Sequence, residues 1–401
     1  MGFDMLAAFR SDLPVAAEPW VDPPDYAFVG GNNDADSIPF GGLAEAAVNV
    51  LKREGRALAT YNLGGSPQGY LPLRQFVCDS LGVRANTAVE PDQVLITSGS
   101  LQALDLVNEA LLAPGDTVII EQATYGGMVS RLQRLGVDWV GAELDDDGID
   151  VGHLATVLEE LAAAGRTPKY IYTIPTVQNP TGSVMPTARR LQLLELARRY
   201  DVPIFEDDCY ADLVWEGERP PSIRALDDGG GQVIYCGSFS KSIAPALRVG
   251  YLVADEPVIL QLLALKTDAG TGALEQLTLA EYAPPHFDDH VERLMAALKT
   301  KCHIMLAAVD REFGAEVEVL PPKGGIYIWL TFPEGVDTGA FAPAAAEAGI
   351  LFNPGAGWSA DPAWGSRRLR LCFGDAEETA INRGVAELAA VYRAAQSAAP
   401  G

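Results

Sequence analysis

Cysteine is scarce in this chain, and its few copies follow no pattern. Five cysteines are scattered over 401 residues, and no two of them have the C-x-x-C spacing of a metal-binding or redox pair. An odd, dispersed set argues against a disulfide framework and against a structural zinc site. We therefore expect free thiols, no bound metal and a reducing, cytoplasmic location.

Long apolar runs and an excess of positive charge are missing as well. No apolar stretch reaches the roughly 20 residues needed to cross a bilayer, and residues 1–14 lack the basic start and apolar core of a secretion signal. Lysine and arginine number 29 against 54 aspartates and glutamates, a formal net charge of −25. This charge repels nucleic-acid phosphates and anionic lipid surfaces. We expect neither nucleic acid nor membrane as a partner, and a bound phosphate would need a local pocket.

What the sequence does contain is a long alternation of strand and helix patterns. Helical stretches separate short β-branched runs at 94–98, 117–121, 138–144, 170–174, 203–207, 233–238 and 248–254. Strands separated by helices of this length predict an α/β fold with a mostly parallel sheet sandwiched between helices.

After residue 275 the pattern changes. A long helical stretch at 287–313 is followed by strand patterns at 324–332 and 367–373 and by a final helix, which indicates an α+β module. A chain of this length favours two domains. We predict a large domain at 56–285 and a smaller C-terminal domain at 286–401, with 1–55 as an N-terminal arm and part of the small domain.

A lysine in a serine-rich segment is the first candidate for chemistry. Lys241 follows a predicted strand in the run 237–241 (GSFSK), and Arg248 lies seven residues further on. Pyridoxal 5′-phosphate (PLP) binds through a lysine amine as a Schiff base, and its phosphate needs hydroxyls and a bidentate cation. This segment contains all of these groups, whereas a lone lysine after a strand is usually a solvated loop residue.

Two more strand ends carry side chains that suit the same cofactor. Ser100 begins a predicted helix, where its hydroxyl and the backbone amides of Leu101 and Gln102 form an anion site. Asp207 ends another strand, where a carboxylate paired with the pyridine nitrogen would keep that nitrogen protonated. Taken alone, Ser100 is equally well explained as an ordinary helix cap, and Asp207 as part of an ordinary charged loop.

Four further side chains lie near predicted strand ends or in a strand. Asn179, in an N-P-T-G turn, and Tyr210 suit the phenolate oxygen of the cofactor, and Tyr125 suits the face of its ring. Arg370 suits a substrate carboxylate because its guanidinium can bind bidentately. Each is weak by itself, since an N-P-T-G run is most often only a turn.

Together these segments resemble the fold-type I PLP enzymes of the aminotransferase class I and II family. They look most like the branch of 2-aminoadipate, kynurenine and aromatic aminotransferases. The motifs S-G-S-L-Q-A, N-P-T-G, D-D-x-Y and S-F-S-K follow the family's order, and the resemblance covers roughly residues 25–395. It implies the PLP-dependent transferase fold of aspartate aminotransferase, with PLP bound by the large domain.

The resemblance also implies roles at matching positions. Lys241 would carry the cofactor and move the substrate proton, Asp207 would pair with the ring nitrogen, and Tyr125 would stack on the ring. These three are the predicted catalytic residues. The predicted cofactor contacts also include Ser100, Leu101, Gln102, Asn179, Tyr210, Ser238, Ser240, Arg248 and Tyr70.

Substrate and subunit contacts follow from the same resemblance. Arg370 would bind the substrate α-carboxylate, with Asn179 and Gly31 of the Gly30-Gly31 pair beside it. Tyr70 matches a tyrosine that reaches the phosphate of the neighbouring subunit, which implies a homodimer with shared active sites. The polar pair Asn32-Asn33 departs from the family pattern, as does the segment 267–272. The substrate side chain is therefore left open.

The predicted function is a PLP-dependent aminotransferase acting on an α-amino acid or an amino-acid-like metabolite. The alternative is a PLP-dependent β-lyase, decarboxylase or oxidative deaminase of natural-product biosynthesis, for example of a lincosamide-type antibiotic, because motifs do not show which Cα bond breaks. A DNA-binding sensor of PLP is disfavoured, since no basic segment precedes residue 43.

Two patterns suggest metal ligands and are better explained otherwise. His286 and His290 have helical spacing, but Pro284-Pro285 and Asp288-Asp289 suit a helix N-terminus. The run 145–148 (DDDG) resembles the start of a calcium loop but lacks the closing glutamate, so a turn is expected.

Overall fold

Short strands and longer helices alternate in the computed structural model, which describes residues 3–10, 13, 16–17, 19 and 21–398. The strands are β1 (Tyr26–Ala27), β2 (Val94–Thr97), β3 (Thr117–Glu121), β4 (Asp138–Ala142), β5 (Leu144–Asp145), β6 (Gly148–Ile149), β7 (Ile171–Thr173), β8 (Ile204–Asp207), β9 (Val233–Ser238), β10 (Gly250–Val253), β11 (Glu318–Val319), β12 (Tyr327–Thr331), β13 (Ile350–Leu351), β14 (Asn353–Pro354) and β15 (Arg368–Cys372). The helices are α1 (Phe40–Glu54), α2 (Leu71–Arg84), α3 (Ser100–Leu111), α4 (Gly126–Leu135), α5 (Val151–Ala163), α6 (Thr187–Tyr200), α7 (Ile223–Leu226), α8 (Glu256–Leu265), α9 (Ala273–Phe313), α10 (Thr338–Glu347), α11 (Pro362–Gly365) and α12 (Glu378–Ala398).

The largest sheet has seven strands in the order β2-β10-β9-β8-β7-β3-β4. The pairs from β9 to β4 are parallel, and β10 runs antiparallel to both of its neighbours. β2, β3, β7, β8 and β10 are buried at every position, as expected for strands covered by helices on both faces. The predicted α/β class with a mostly parallel sheet is confirmed.

A second, antiparallel sheet has four strands in the order β11-β12-β15-β14. Its core contains Leu298 of α9, Ile328 of β12 and Leu388 of α12. Phe28 belongs to this same core, and β1 pairs with β13, so the arm packs on the C-terminal part of the chain. The domain limits at 55 and 285 stay a prediction.

The long helix differs from the expectation. It begins at Ala273 rather than near 287, and Pro284 and Pro285 lie inside it instead of at its N-terminus. Tyr282 before the prolines and Phe287 after them are buried in one core, and this packing outweighs the hydrogen bonds that proline removes. Within the described ranges, no helix is both long enough and apolar enough to cross a membrane.

Candidate active site

A cavity of about 310 Å³ lies where β3, β7, β8 and β9 end, at the carboxyl edge of the parallel strands. Ligands of open α/β sheets bind at this edge. The cavity is lined by Gly30, Gly31, Ser100, Leu101, Tyr125, Ile174, Asn179, Asp207, Cys209, Tyr210, Ser238, Ser240, Lys241, Pro245, Arg248, Asn353, Trp358 and Arg370. All predicted site residues except Gln102 and Tyr70 are therefore brought together.

Lys241 extends into this cavity from the segment after β9. Its Nζ donates a hydrogen bond to the carbonyl of Gly31 and lies 5.5 Å from the centroid of the Tyr210 ring. Burial lowers the pKa of the Lys241 amine to about 8. A neutral amine, the form that attacks a carbonyl carbon, is therefore accessible near neutral pH.

Asp207 ends β8 as a buried carboxylate with one free oxygen. The hydroxyl of Tyr172 donates to its Oδ2 at 2.7 Å, whereas its Oδ1 has no hydrogen-bond partner among the described residues. Burial raises the pKa of Asp207, against the lowering by the neighbouring Cys209 thiol and the Tyr172 hydroxyl. A buried oxygen without a partner suits a ligand that brings a proton donor.

The start of α3 and the side chain of Arg248 form an anion cradle. Gly99 precedes the helix with φ +76°, and a Cβ at this position would lie 2.2 Å from Nη2 of Arg248. Only glycine therefore lets the guanidinium approach the helix N-terminus at Ser100. Nη1 of Arg248 lies 3.4 Å from Oγ of Ser240, and Ser238 Oγ accepts from the Ser240 amide at 3.0 Å. Hydroxyls, a cation and free helix amides together suit a phosphate.

Arg370 of β15 is a buried cation that no carboxylate of the described residues pairs. Its Nη1 donates to Oδ1 of Asn179 at 3.1 Å, and its Nη2 donates to Oδ1 of Asn353 at 3.0 Å and to the carbonyl of Gly30. Its guanidinium carbon lies 3.9 Å from the centroid of the Trp358 ring. Its Nε has no partner within the described part of the chain. The site therefore holds a positive charge with only neutral acceptors around it.

A buried carboxylate supports the turn that presents Asn179. Glu121 accepts hydrogen bonds from Oγ1 of Thr173 at 2.7 Å, the amide of Ile174 at 3.0 Å and Nε2 of Gln178 at 2.9 Å. Burial raises the pKa of Glu121 to about 7. Glu121 thus connects the end of β3 to the turn after β7, and it fixes the residue that precedes Asn179.

Several cavity residues were missed from the sequence, among them Trp358, Asn353 and Cys209. Trp358 and Asn353 come from the segment between β13 and α11, where the sequence pattern predicted no site residue, and Trp358 packs edge-on against Tyr125 at 5.8 Å between ring centroids. Cys209 lies beside Asp207 and Cys236, and the potential ligand atoms of these three residues are within 4.8 Å of one another. The motif D-D-x-Y leaves the Cys209 position open, so no sequence signal marked it.

Two predicted residues lie outside the cavity of the single chain. The side chain of Gln102 accepts from the Ser98 amide at 2.8 Å and donates to Asp268 at 2.7 Å, so a cofactor contact is left to its backbone amide. The hydroxyl of Tyr70 donates to Glu54 of the same chain. The predicted contact of Tyr70 with a neighbouring subunit stays a prediction.

Each of these groups matches one functional group of PLP. The free oxygen of Asp207 suits a protonated ring nitrogen, the cradle at Ser100 and Arg248 suits a phosphate, and the Lys241 amine suits the aldehyde. The donor set and the sheet edge define a PLP-dependent transferase.

Comparison with known proteins identifies the family. The model of the family "Aminotransferase class I and II" matches residues 34–386, and the chain belongs to this family. The chain is 34% identical to the 2-aminoadipate transaminase of Thermus thermophilus over 366 residues, 90% of this chain and 88% of the relative.

Comparison with solved structures supports the same family. The multiple substrate aminotransferase of Thermococcus profundus superposes with a TM-score of 0.91 at 29% identity, covering 99% of this chain and all of that one. The kynurenine aminotransferase of Pyrococcus horikoshii gives 0.90 at 30% identity, with 99% of each chain covered. The α-aminoadipate aminotransferase of Thermus thermophilus, in complex with N-(5′-phosphopyridoxyl)-L-leucine, gives 0.85 at 33% identity over 93% of each chain.

The predicted family, fold, cofactor and enzyme class are thereby confirmed. The protein is a PLP-dependent aminotransferase of the aspartate-aminotransferase-like fold, and its substrates are amino acids.

Proposed function

We propose that the cavity is the aminotransferase active site and that Lys241 is the residue that binds PLP covalently. The observation that carries this proposal is the buried amine of Lys241, whose pKa is lowered to about 8, in a cavity shared with the half-satisfied carboxylate of Asp207. When bound, PLP supplies the electron sink for the pair released at the substrate Cα.

The proposed duties of the cofactor-binding side chains follow from their chemistry. Asp207 accepts a hydrogen bond from the protonated ring nitrogen and stabilises its positive charge. The free Oδ1 of Asp207 supports this role. Ser100, Ser238, Ser240 and Arg248 hold the phosphate, together with the α3 amides of Leu101 and Gln102. Asn179 and Tyr210 donate to the phenolic oxygen, and Tyr125 covers the ring.

Lys241 and Arg370 act on the substrate. Lys241 removes the α-proton once its amine is free, because a neutral amine of lowered pKa is a base suited to neutral pH. Arg370 binds the α-carboxylate, a role supported by its burial without a carboxylate partner in the described structure. Asn179 and Gly31 lie beside the same position.

The proposed assembly is a homodimer with shared sites, in which Tyr70 contacts the cofactor phosphate of the partner subunit. Support comes from large apolar side chains that the single chain leaves exposed at the starts of α1, α2 and α9 and in the segment before α2: Phe40 (68%), Leu71 (52%), Leu274 (41%) and Tyr61 (83%). We propose a cytoplasmic location, which the five free cysteines support.

The test is to mix the PLP-loaded protein with single amino acids, without a keto-acid acceptor, and to follow absorbance and product mass. Stoichiometric conversion to the pyridoxamine form, ending after one turnover, is the expected result. Continued turnover, or release of carbon dioxide or a side-chain fragment, would refute the proposal in favour of a lyase or oxidative deaminase.

A further inference from the structure

Two buried tyrosines on one side of β7 form a matched pair beside the active site. Tyr170 lies just before β7 and Tyr172 lies within it, so their side chains point to the same face of the sheet. Neither ring is exposed to solvent, and both pack edge-on against Phe205, at 5.9 and 5.7 Å between ring centroids. Neither tyrosine lines the cavity. Their packing is therefore alike, and they differ in the group that each hydroxyl binds.

The hydroxyl of Tyr172 binds an acidic group, whereas that of Tyr170 binds a neutral one. Tyr170 donates to Oδ1 of Asn108 at 2.7 Å, and Tyr172 donates to Oδ2 of Asp207, also at 2.7 Å. Burial, and after it the charge of Asp207, raises the pKa of Tyr172 well above its ordinary value, so the hydroxyl keeps its proton and acts as a donor to the carboxylate. A hydrogen bond to a charged acceptor contributes more than one to a neutral acceptor.

Tyr172 ties the Asp207 carboxylate to the neighbouring strand β7. Burial raises the pKa of Asp207, and the Cys209 thiol, the Tyr172 hydroxyl and the Cys209 amide oppose this rise. Cys209 belongs to the segment that directly follows β8, so Tyr172 is the donor among these that comes from another strand. Because Tyr172 occupies Oδ2, it fixes the rotation of the carboxylate and leaves Oδ1 as the oxygen without a partner in the described structure. The proposed function assigns this free oxygen to the ring nitrogen of PLP.

We infer that Tyr172 is a positioning residue of the aminotransferase reaction, whose hydroxyl keeps Asp207 ionised and directs Oδ1 to the ring nitrogen of the cofactor. The inference rests on the proposed function, which pairs Asp207 with that nitrogen. Without the hydroxyl, the buried carboxylate is a stronger base, and the proton that it shares with the ring nitrogen lies closer to Oδ1. A ring nitrogen with less positive charge withdraws electrons from the substrate Cα less strongly, so the chemical step slows while substrate binding is unchanged.

The variant Tyr172→Phe tests the inference, with Tyr170→Phe as the matched control. Each change removes one hydroxyl from a fully buried ring on the same side of β7, and each leaves one buried acceptor without its donor. The midpoint of unfolding in urea is therefore expected to fall in both variants. A merely structural role of Tyr172 would make the two variants alike in every other measurement as well.

The deciding measurement is the nitrogen NMR shift of the cofactor ring. Holoenzyme is prepared with PLP that carries nitrogen-15 in its ring, and the shift is recorded near neutral pH. The unaltered enzyme and Tyr170→Phe are expected to give the shift of a protonated pyridine, and Tyr172→Phe a shift displaced towards that of a neutral pyridine. An undisplaced shift in Tyr172→Phe, or an equal displacement in Tyr170→Phe, overturns the inference.

Single-turnover kinetics with an amino acid give a second measurement. The maximal rate of conversion to the pyridoxamine form should fall about tenfold in Tyr172→Phe, the lower end of what a hydrogen bond to a charged group contributes. The amino-acid concentration that gives half of this rate should stay the same, because Tyr172 does not line the cavity. A loss that appears only in this concentration would contradict the role proposed for Tyr172.

The variant Asp207→Asn separates the inference from the function on which it rests. Asparagine keeps the shape of the side chain but carries no negative charge, so the nitrogen shift is expected to be displaced further than in Tyr172→Phe. The shift of a protonated pyridine in both variants overturns the proposed role of Asp207 and the inference with it. A displaced shift in Asp207→Asn alone overturns only the inference.

Discussion

Replacing Arg370 by lysine tests the site most directly, because the change keeps the positive charge and removes the planar, bidentate donor geometry of the guanidinium. In the structure the guanidinium donates through both terminal nitrogens and stacks on Trp358 at 3.9 Å, whereas a lysine ammonium is a point charge. Loss of one of two bonds to a carboxylate costs about 1.5–3 kcal/mol. At about 1.4 kcal/mol for a factor of ten, kcat/KM for an amino acid is expected to fall about 10- to 150-fold.

The assay compares an amino acid with the amine that lacks its carboxylate. The Arg370→Lys variant should lose rate with the amino acid but not with the amine, since the lost contact is to the carboxylate, and its PLP absorbance should match that of the unaltered enzyme. Arg368→Lys is the matched control, because Arg368 lies on the same strand and stacks on Trp364 away from the cavity. A loss below about threefold, or an equal loss with the amine, would refute the assignment of Arg370.

The remaining predictions concern the cofactor, the turn and the dimer. Asp207→Ala should slow single-turnover conversion by about 100-fold or more, because the ring nitrogen loses its anionic partner; an unchanged rate would remove Asp207 from this role. Capture of PLP by the apoenzyme should accelerate as the pH rises towards about 8, where the Lys241 amine loses its proton, and a flat stopped-flow profile would contradict this. Glu121→Ala leaves three buried donors without an acceptor and should lower the free energy of unfolding by about 3 kcal/mol or more in urea titrations. Because the folded pKa of Glu121, about 7, exceeds its usual value, stability relative to Glu121→Gln should decrease as the pH rises through 7, and the opposite slope would contradict this pKa. If the sites are shared, mixing Lys241→Ala subunits with Tyr70→Phe subunits should give hybrid dimers in which one site has both Lys241 and Tyr70, and activity should recover. No recovery in proven hybrids would refute sharing.

Periodicity predicted the elements of the large sheet because strand and helix signals there are local. The limits of β3 and β9 coincide with the predicted ranges, and most other strands are shorter by one or two residues. The antiparallel direction of β10 and its position between β2 and β9 depend on pairing across the sheet, which no local pattern encodes. The early start of α9 was missed because Pro284 and Pro285 signal a helix boundary, and buried packing on both sides overrides that signal.

The residues of the candidate site also fall into two groups, those marked by a local sequence motif and those placed by the tertiary fold. Residues such as Lys241 and Ser100 lie in short motifs that carry several groups for one ligand, so the sequence alone indicated them. Trp358 and Asn353 line the cavity from the segment after β13, and their place there depends on the tertiary fold, which no local sequence pattern encodes. Glu121 was missed because the sequence does not show whether a carboxylate at the end of a strand is buried, and the hydrogen bond from Gln178 forms only in the folded chain.

The charge of the cavity is opposite to that of the protein, and this contrast bears on where anionic groups bind. The chain carries a formal −25, yet three cations and one carboxylate line the cavity in the described structure. At physiological ionic strength the outer field is screened beyond about 8 Å, so an anion is held only where a cation lies within contact distance. The phosphate of PLP and the α-carboxylate each meet such a cation in the proposed site.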